Sequence, residues 1–379
     1  MTRYLAGRVV AGLVTLFLFV TILFFLARWL MPVQEGFWGG SAWDNYTSFL
    51  SGLAGADILR SAARGPLPWT LLIFVFAVGI AFPIGHKLGK YAGWRRGPTG
   101  SAGLTIGAVL MYTIFPPLLV FALIMLVSRF TNDQGIGFLR TMYNEGGLDS
   151  GVAWSMLITI AVVTIAVGAA AWAAARSYRK IPVLIWVLAL VVVPFLLWAR
   201  RGMIGEVADI LTYLALPIVA VTILVAGEVI LVSKVTTEEA AKEDFVFTAE
   251  AKGVPDREVR DHHVARYGLL PMLNKLMVSV PFILVGLMIV ELSFGWAKLG
   301  AGCEGANCPS DPVGNSLGTL GYYVPGMSSQ VFASLERRDP ATVIQALVVV
   351  GIVVLIIRLV MEVLHAALDP RILTPGRNR

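Results

Sequence analysis

Glu238 to Pro271 reads EEAAKEDFVFTAEAKGVPDREVRDHHVARYGLLP, the longest strongly charged run in a chain that is otherwise mostly apolar. Long apolar segments lie on both sides of it. Such a stretch is too polar to enter hydrocarbon, so it sits in water and meets something there. Locally it offers two short helical pieces separated at Gly253-Val254-Pro255. Glycine ends a helix cheaply because it tolerates positive φ, and proline suits the opening of the next. On the first piece Phe245, Thr248, Ala249 and Lys252 recur at helical spacing. They predict a short face with an aromatic at one end and small residues in the middle, a shape that lies in a groove of another protein.

The composition places this run in context. The 379 residues are 57% hydrophobic and 14% charged, with a mean hydropathy of +0.77. A soluble domain carries about a quarter charged residues. The chain therefore reads as an integral membrane protein with little room for a large soluble domain. Its formal charge of +6 does not point to nucleic acid, because the basic residues cluster at the ends of apolar runs, where they set membrane orientation. The two cysteines, Cys303 and Cys308, share one loop, and no paired cysteine clusters of a zinc site exist in the sequence.

Working outward, eight apolar runs of around 20 residues predict eight spanning helices, since an α-helix needs about that length to cross roughly 30 Å of hydrocarbon. They are Val9–Leu30, Pro68–Leu88, Thr105–Val127, Val152–Ala175, Ile181–Trp198, Val207–Val232, Leu270–Leu292 and Val343–Leu364. The fold class is an all-α membrane protein; the alternating strands of a β-barrel are missing. The first run is too long for a signal peptide and lacks a cleavage site, so it reads as a retained helix. Lys87, Lys90, Arg95 and Arg96, then Arg176, Arg179 and Lys180, then Arg371, Arg377 and Arg379 mark the cytoplasmic side and place both termini there. Arg200 and Arg201 fall outside, against that bias. WDNYTSFLSGL, from Trp43, predicts a short amphipathic helix at the outer interface. Pro116-Pro117 sits in mid-run in the third span and predicts a kink, whose freed carbonyls need protein or water nearby. Packing and a role on a pathway both account for it.

Further residues carry a resemblance. EDFVFTAEAKG, followed by His263, Arg266 and Leu270-Pro271, resembles the cytoplasmic loop of ABC importer permeases, closest to the B-type subunit of the dipeptide/oligopeptide permease family, whose members read roughly EDYIRTARAKG and then HxxRNxxLP. The opening RYLAGRVVAGLVTLFLFVTILFF, the run ELSFGWAKLG and the closing LDPRI are similar to that family as well. Ala297 and Lys298 replace its Pro-Gly, Ala301 to Gln330 is an insertion, and Val152–Ala175 with Ile181–Trp198 form an extra pair beyond its six-span core. The resemblance implies a type I importer transmembrane subunit for short peptides or oligosaccharides, with Phe245, Thr248, Ala249, Glu250, Ala251, Lys252 and Gly253 docking on an ATPase. It implies a C-type permease as heterodimer partner, two ABC ATPase subunits that bind ATP and Mg, and an external substrate-binding protein, all in the cell inner membrane, with lipid and no nucleic acid as further company. On this reading the chain divides into 1–30, an N-terminal spanning helix; 31–66, an external interfacial segment; 67–150, spans two and three with an external loop; 151–200, the extra pair; 201–372, the permease core with coupling loop 234–270 and external insertion 301–330; and 373–379, a cytoplasmic tail.

No glycine-rich phosphate loop, HExxH or Gly-x-Ser-x-Gly occurs, so ATP hydrolysis is expected in partners and no cofactor or metal is expected on this chain. His262 and His263 are adjacent and point to different helix faces. Glu228 is deep in an apolar run, and a carboxylate there is expensive unless it faces water or a partner. It reads either as a polar point on a translocation path or as a carboxyl hydrogen-bonded between helices; an ion-coupled secondary transporter with Glu228 as proton carrier is the rival function. Glu291, at the outer boundary, is expected to fix the gate region. Arg358 and Glu362 share a helix face and predict a pair. Cys303 and Cys308, close together in a glycine-rich loop expected on an oxidising side, predict a disulfide.

Overall fold

A computed structural model describes residues 2–30, 41–54, 57–94, 98–131, 149–176, 182–295, 324–336 and 340–368. Every regular element in them is helical. In order they are α1 (Thr2–Leu30), α2 (Ala42–Ala54), α3 (Asp57–Arg64), α4 (Leu67–Trp94), α5 (Pro98–Thr113), α6 (Pro116–Thr131), α7 (Ser150–Arg176), α8 (Val183–Arg200), α9 (Ile204–Ala240), α10 (Asp244–Ala251), α11 (Asp256–Glu258), a π-helical turn (Val259–Val264), α12 (Ala265–Gly295), α13 (Met327–Glu336) and α14 (Pro340–Leu368). Cys303 and Cys308, the loop 177–180 and the tail 373–379 lie outside the described residues.

Among the described residues five helices are long and apolar enough to cross a membrane, or six with the bent pair α5–α6 taken as one span. The two runs that complete the expected eight lie on α8 and α12, whose described apolar stretches are Ile185–Arg200 and Val278–Phe294.

The centre of the bundle is the pair α4 and α9. Gly85, Gly89 and Gly93 recur every fourth residue on α4 and lie against Val229, Ile230 with Ser233, and Lys234 with Thr237. The residue numbers rise together, so the two helices run parallel. A Cβ at Gly93 would sit 2.8 Å from the Thr237 Cβ. In lipid no hydrophobic force drives helices together, so small residues that let backbones touch supply the contact. On the other face of α9, Gly227 admits α5: a Cβ there would meet the Tyr112 nitrogen at 2.7 Å and the Ala108 oxygen at 2.9 Å. Lys234 donates to Thr105 Oγ1 at 2.9 Å, so α5 runs antiparallel to α9.

The third span is not one kinked helix but two, with axes 103° apart. Neither Pro116 nor Pro117 has an N–H to give to Tyr112 or Thr113, and a residue before proline avoids the helical region. The last α5 bond is Ile114 N to the Leu110 oxygen, and the Leu119 N–H restarts the ladder on the Phe115 oxygen, with Pro116 in the first turn, where its missing donor costs nothing.

The remaining contacts sort the helix ends. α12 runs antiparallel to α9, as Ser233 with Met272 and Glu228 with Ser279 show. α1 and α14 are antiparallel, with Gly12 against Leu355 and Gly351 against Phe19. Trp154 Nε1 donates to the Ala63 oxygen at 2.6 Å, which puts the start of α7 beside the start of α4. Arg201 reaches back to Ser155 Oγ at 3.2 Å, so α7 and α8 form an antiparallel hairpin. One end of the bundle therefore gathers the ends of α4 and α9 and the segment from Lys242 to Val264; we call it the charged end. The distal end gathers the starts of α4, α7, α9 and α14.

Two further expectations are corrected. α9 continues through Glu238 and Glu239 to Ala240, so the first seven residues of the expected loop 234–270 are helix. The expected irregular insertion ends in a helix: Met327–Gln330 open α13, with Val324 and Met327 fully buried. The amphipathic α2 forms as expected. Tyr46 and Phe49 turn inward onto Phe24, at ring-centroid distances of 5.3 and 5.4 Å, and Trp43 faces out. Arg358 and Glu362 pair at 3.4 Å.

Candidate functional site

At the charged end, α10 closes with two backbone bonds. Gly253 N donates to the Glu250 oxygen at 2.9 Å and Val254 N to the Ala249 oxygen at 3.2 Å, while Gly253 holds φ +75°. This is the Schellman arrangement, and it needs glycine because other residues strain at that φ. The accompanying apolar contact is present: Val254 and Ala249 pack on a small cluster of Ala240, Val246, Val259 and Val264, joined by Trp94 and Phe245.

That cluster splits the face expected from spacing. Phe245 and Ala249 point back into the protein, whereas Thr248, Ala251, Lys252 and Gly253 are exposed and Glu250 is half-buried. The aromatic on the free side is Phe247, 76% exposed. Phe247, Thr248 and Ala251, at i, i+1 and i+4, form the outward face. Sequence periodicity could not choose between the two sides, because α10 carries a phenylalanine on each.

Behind this face a carboxylate ties the segment to the bundle. Asp261 accepts from Arg260 Nε at 3.0 Å and Nη2 at 2.9 Å, and Lys90 on α4 reaches it at 3.0 Å. Arg257 Nε is 3.9 Å away. The Arg260 hydrogen bonds hold the Asp261 carboxyl well below the usual carboxylate range, against the opposing effect of burial and with further help from Lys90. The same contacts raise the Arg260 guanidinium above its ordinary value.

A second candidate is a cleft of about 330 Å³ at the α5–α6 elbow, between α9 and α12. Glu228, Lys275, Ser279, Tyr112 and Pro116 line it. Ser279 Oγ donates to Glu228 Oε1. Glu228 is hydrogen-bonded between helices, and it borders the cleft. Pro116 shares the cleft with it, whereas Pro117 is not among the lining residues.

Glu291 is elsewhere, fully buried at the distal end. Its Oε2 accepts from Ser328 N at 3.2 Å and Ser328 Oγ at 3.0 Å. Beside it, Met327 N donates to Thr70 Oγ1 at 2.9 Å. A Cβ on Gly326 would collide with the Glu291 carboxylate. Glu291 therefore joins α12 to the first turn of α13, and Thr70 extends the junction to α4.

Residues 178–303 match the family described as binding-protein-dependent transport system inner membrane component. The match contains α9, the charged segment and Glu291. The chain is also similar to a peptide permease protein of Brucella ovis, 25% identical over 167 residues, and the match spans 44% of each chain. It is similar to the peptide transport system permease protein SapB of Salmonella typhimurium, 22% identical over 372 residues and covering 96% of this chain and 95% of that one. The oligopeptide transport system permease protein OppB of Haemophilus influenzae is 24% identical over 196 residues, 52% of this chain and 53% of its own.

Proposed function

We propose, from the match of residues 178–303 to the binding-protein-dependent transport inner membrane component family, that this chain is the permease subunit of an ABC importer for short peptides. The observation that carries the reading is the outward face Phe247, Thr248 and Ala251. It stands on a segment braced by its own apolar cluster and by Lys90–Asp261, so a push on it is transmitted to α4 rather than absorbed by a loop. The partner that pushes is an ATPase dimer, with ATP and Mg bound there. A related C-type permease forms the other half of the path, and a binding protein delivers cargo at the distal end. The charged end is then cytoplasmic, as are both termini. Transport follows only if ATP favours one of the two access states over the other, since a ligand with equal affinity for both shifts nothing.

The cleft at Glu228 supports a second reading, an ion-coupled carrier. One experiment separates them: purify the native complex, identify its subunits, and measure uptake of a labelled dipeptide into proteoliposomes. The importer reading expects a co-purifying ATPase and uptake that requires ATP on the charged-end side. Uptake by the chain alone, driven by a proton gradient, replaces it with the carrier reading.

A further inference from the structure

Beside the Asp261 tie lies a cup of about 690 Å³ between the end of α4 and the π-helical turn. Lys87 and Lys90 come from α4, and Arg257 and Arg260 from the opposite wall. Asp261 is the acidic side chain among the lining residues, so four cations face one carboxylate. Asp261 does not discharge the cup. It takes both of its Arg260 hydrogen bonds and the Lys90 contact on its own two oxygens, holding those cations in place. Arg257 is 89% exposed at its side chain and lies only at 3.9 Å from Asp261. Lys87 is exposed as well.

The depth of the cup decides what it would hold. At 1.5 Å per residue, about 20 residues of helix cross the hydrocarbon. Counted from Leu67 at the start of α4, that span ends at Lys87, the height of a lipid phosphate. Below Lys87 on the same helix face lie Ile84 and Ile80, exposed to 49% and 42%. Above it lies Tyr91, 39% exposed, an aromatic at the interface height where such side chains gather. The stripe thus passes from apolar to basic to aromatic over three turns. A soluble anion has no use for Ile80 and Ile84; a lipid does, with an acyl chain along them and its headgroup in the cup.

We propose that this cup is a binding site for the phosphate headgroup of an anionic membrane lipid, which bridges α4 to the coupling segment from the bilayer side. Basic pockets between helices at the cytoplasmic face suit such headgroups. The lipid then adds a second tie, parallel to Lys90–Asp261, at the place where motion of the segment reaches α4.

The test uses the full chain in nanodiscs of mixed phosphatidylglycerol and phosphatidylcholine, released for native mass spectrometry. The expected result is retention of one phosphatidylglycerol in preference to phosphatidylcholine. The double variant Lys87→Gln/Arg257→Gln leaves the Arg260 and Lys90 contacts of Asp261 in place and should weaken that retention by about thirtyfold, since each surface cation contributes about a kcal/mol toward an anionic lipid. Lys242→Gln, which removes a cation at the same end but outside the cup, should leave it unchanged. Equal retention of the two lipids, an unaffected double variant, or an equal loss in Lys242→Gln would each overturn the site. Displacement of the retained lipid by inorganic phosphate would show that a soluble anion is the ligand instead.

Discussion

The two ends of the bundle use polar groups in opposite ways. At the distal end Glu291 is fully buried, with Ser328 spending its hydroxyl and backbone N–H on it. At the charged end Asp261 remains 31% exposed at its side chain, Phe247 stands 76% exposed, and the polar contacts lie behind the outward face rather than under it. A buried carboxylate is costly to disturb, because removing a partner leaves its desolvation uncompensated. A part-exposed ion pair is cheap, because water replaces what is lost. The distal end is therefore built to hold its shape, and the charged end to hold a surface in position while that surface is used.

The largest effect that tests this contrast is at Gly326. Gly326→Ala puts a methyl into the Glu291 carboxylate, which cannot retreat without giving up Ser328. Overpacking of this kind costs about 1–3 kcal/mol, and the expected loss is at the top of that range. Thermal unfolding of the purified variant in detergent measures it. A variant as stable as the parent would mean that the distal junction is loose and that the contrast between the ends is wrong.

Next in size is a pair of changes on one short helix. Phe245→Ala removes a ring from the cluster around Val246 and Trp94 and should cost about 1–2 kcal/mol, less than a fully buried phenylalanine. Phe247→Ala removes an exposed ring and should leave stability within about 0.5 kcal/mol, yet abolish ATP-driven uptake. The two variants must separate, one in melting temperature and the other in transport. If Phe245→Ala uncouples transport without loss of stability while Phe247→Ala transports normally, the outward face has been assigned to the wrong side of α10.

These examples also show what the sequence makes legible. The end of α10 at Gly253 follows from residue type, because positive φ selects glycine, and the Arg358–Glu362 pair follows from spacing alone. The side of α10 that faces outward does not, since both Phe245 and Phe247 satisfy an aromatic-and-small pattern; only the cluster with Trp94 and Val259 decides it. The α5–α6 break was foreshadowed by Pro116-Pro117 as a kink, but the size of the turn depends on how α5 lies on Gly227 and how α6 meets α12. The parallel seam of α4 on α9 had a readable signal that composition obscured: Gly85, Gly89 and Gly93 recur every four residues, the spacing at which backbones touch. Glu291 had a family match but no local pattern, because Ser328 and Gly326 are brought to it by the fold.

The smallest effect is at Asp261, and its pH dependence is the sharper part. Asp261→Asn keeps the shape but weakens the hold on Lys90 and Arg260, and at a part-exposed site this should cost about 1 kcal/mol or less. The folded carboxyl is held below its unfolded value of about 3.9 by Arg260 foremost. A group depressed in this way binds fewer protons folded than unfolded once the pH approaches the unfolded value, so its stabilisation is complete above that value and drains away as pH falls toward the folded one. The gap in melting temperature between parent and Asp261→Asn should therefore be constant from about pH 8 to pH 5 and narrow below about pH 4. A gap that stays unchanged down to about pH 3 would instead show that the Asp261 carboxylate does not hold α4 to the charged segment.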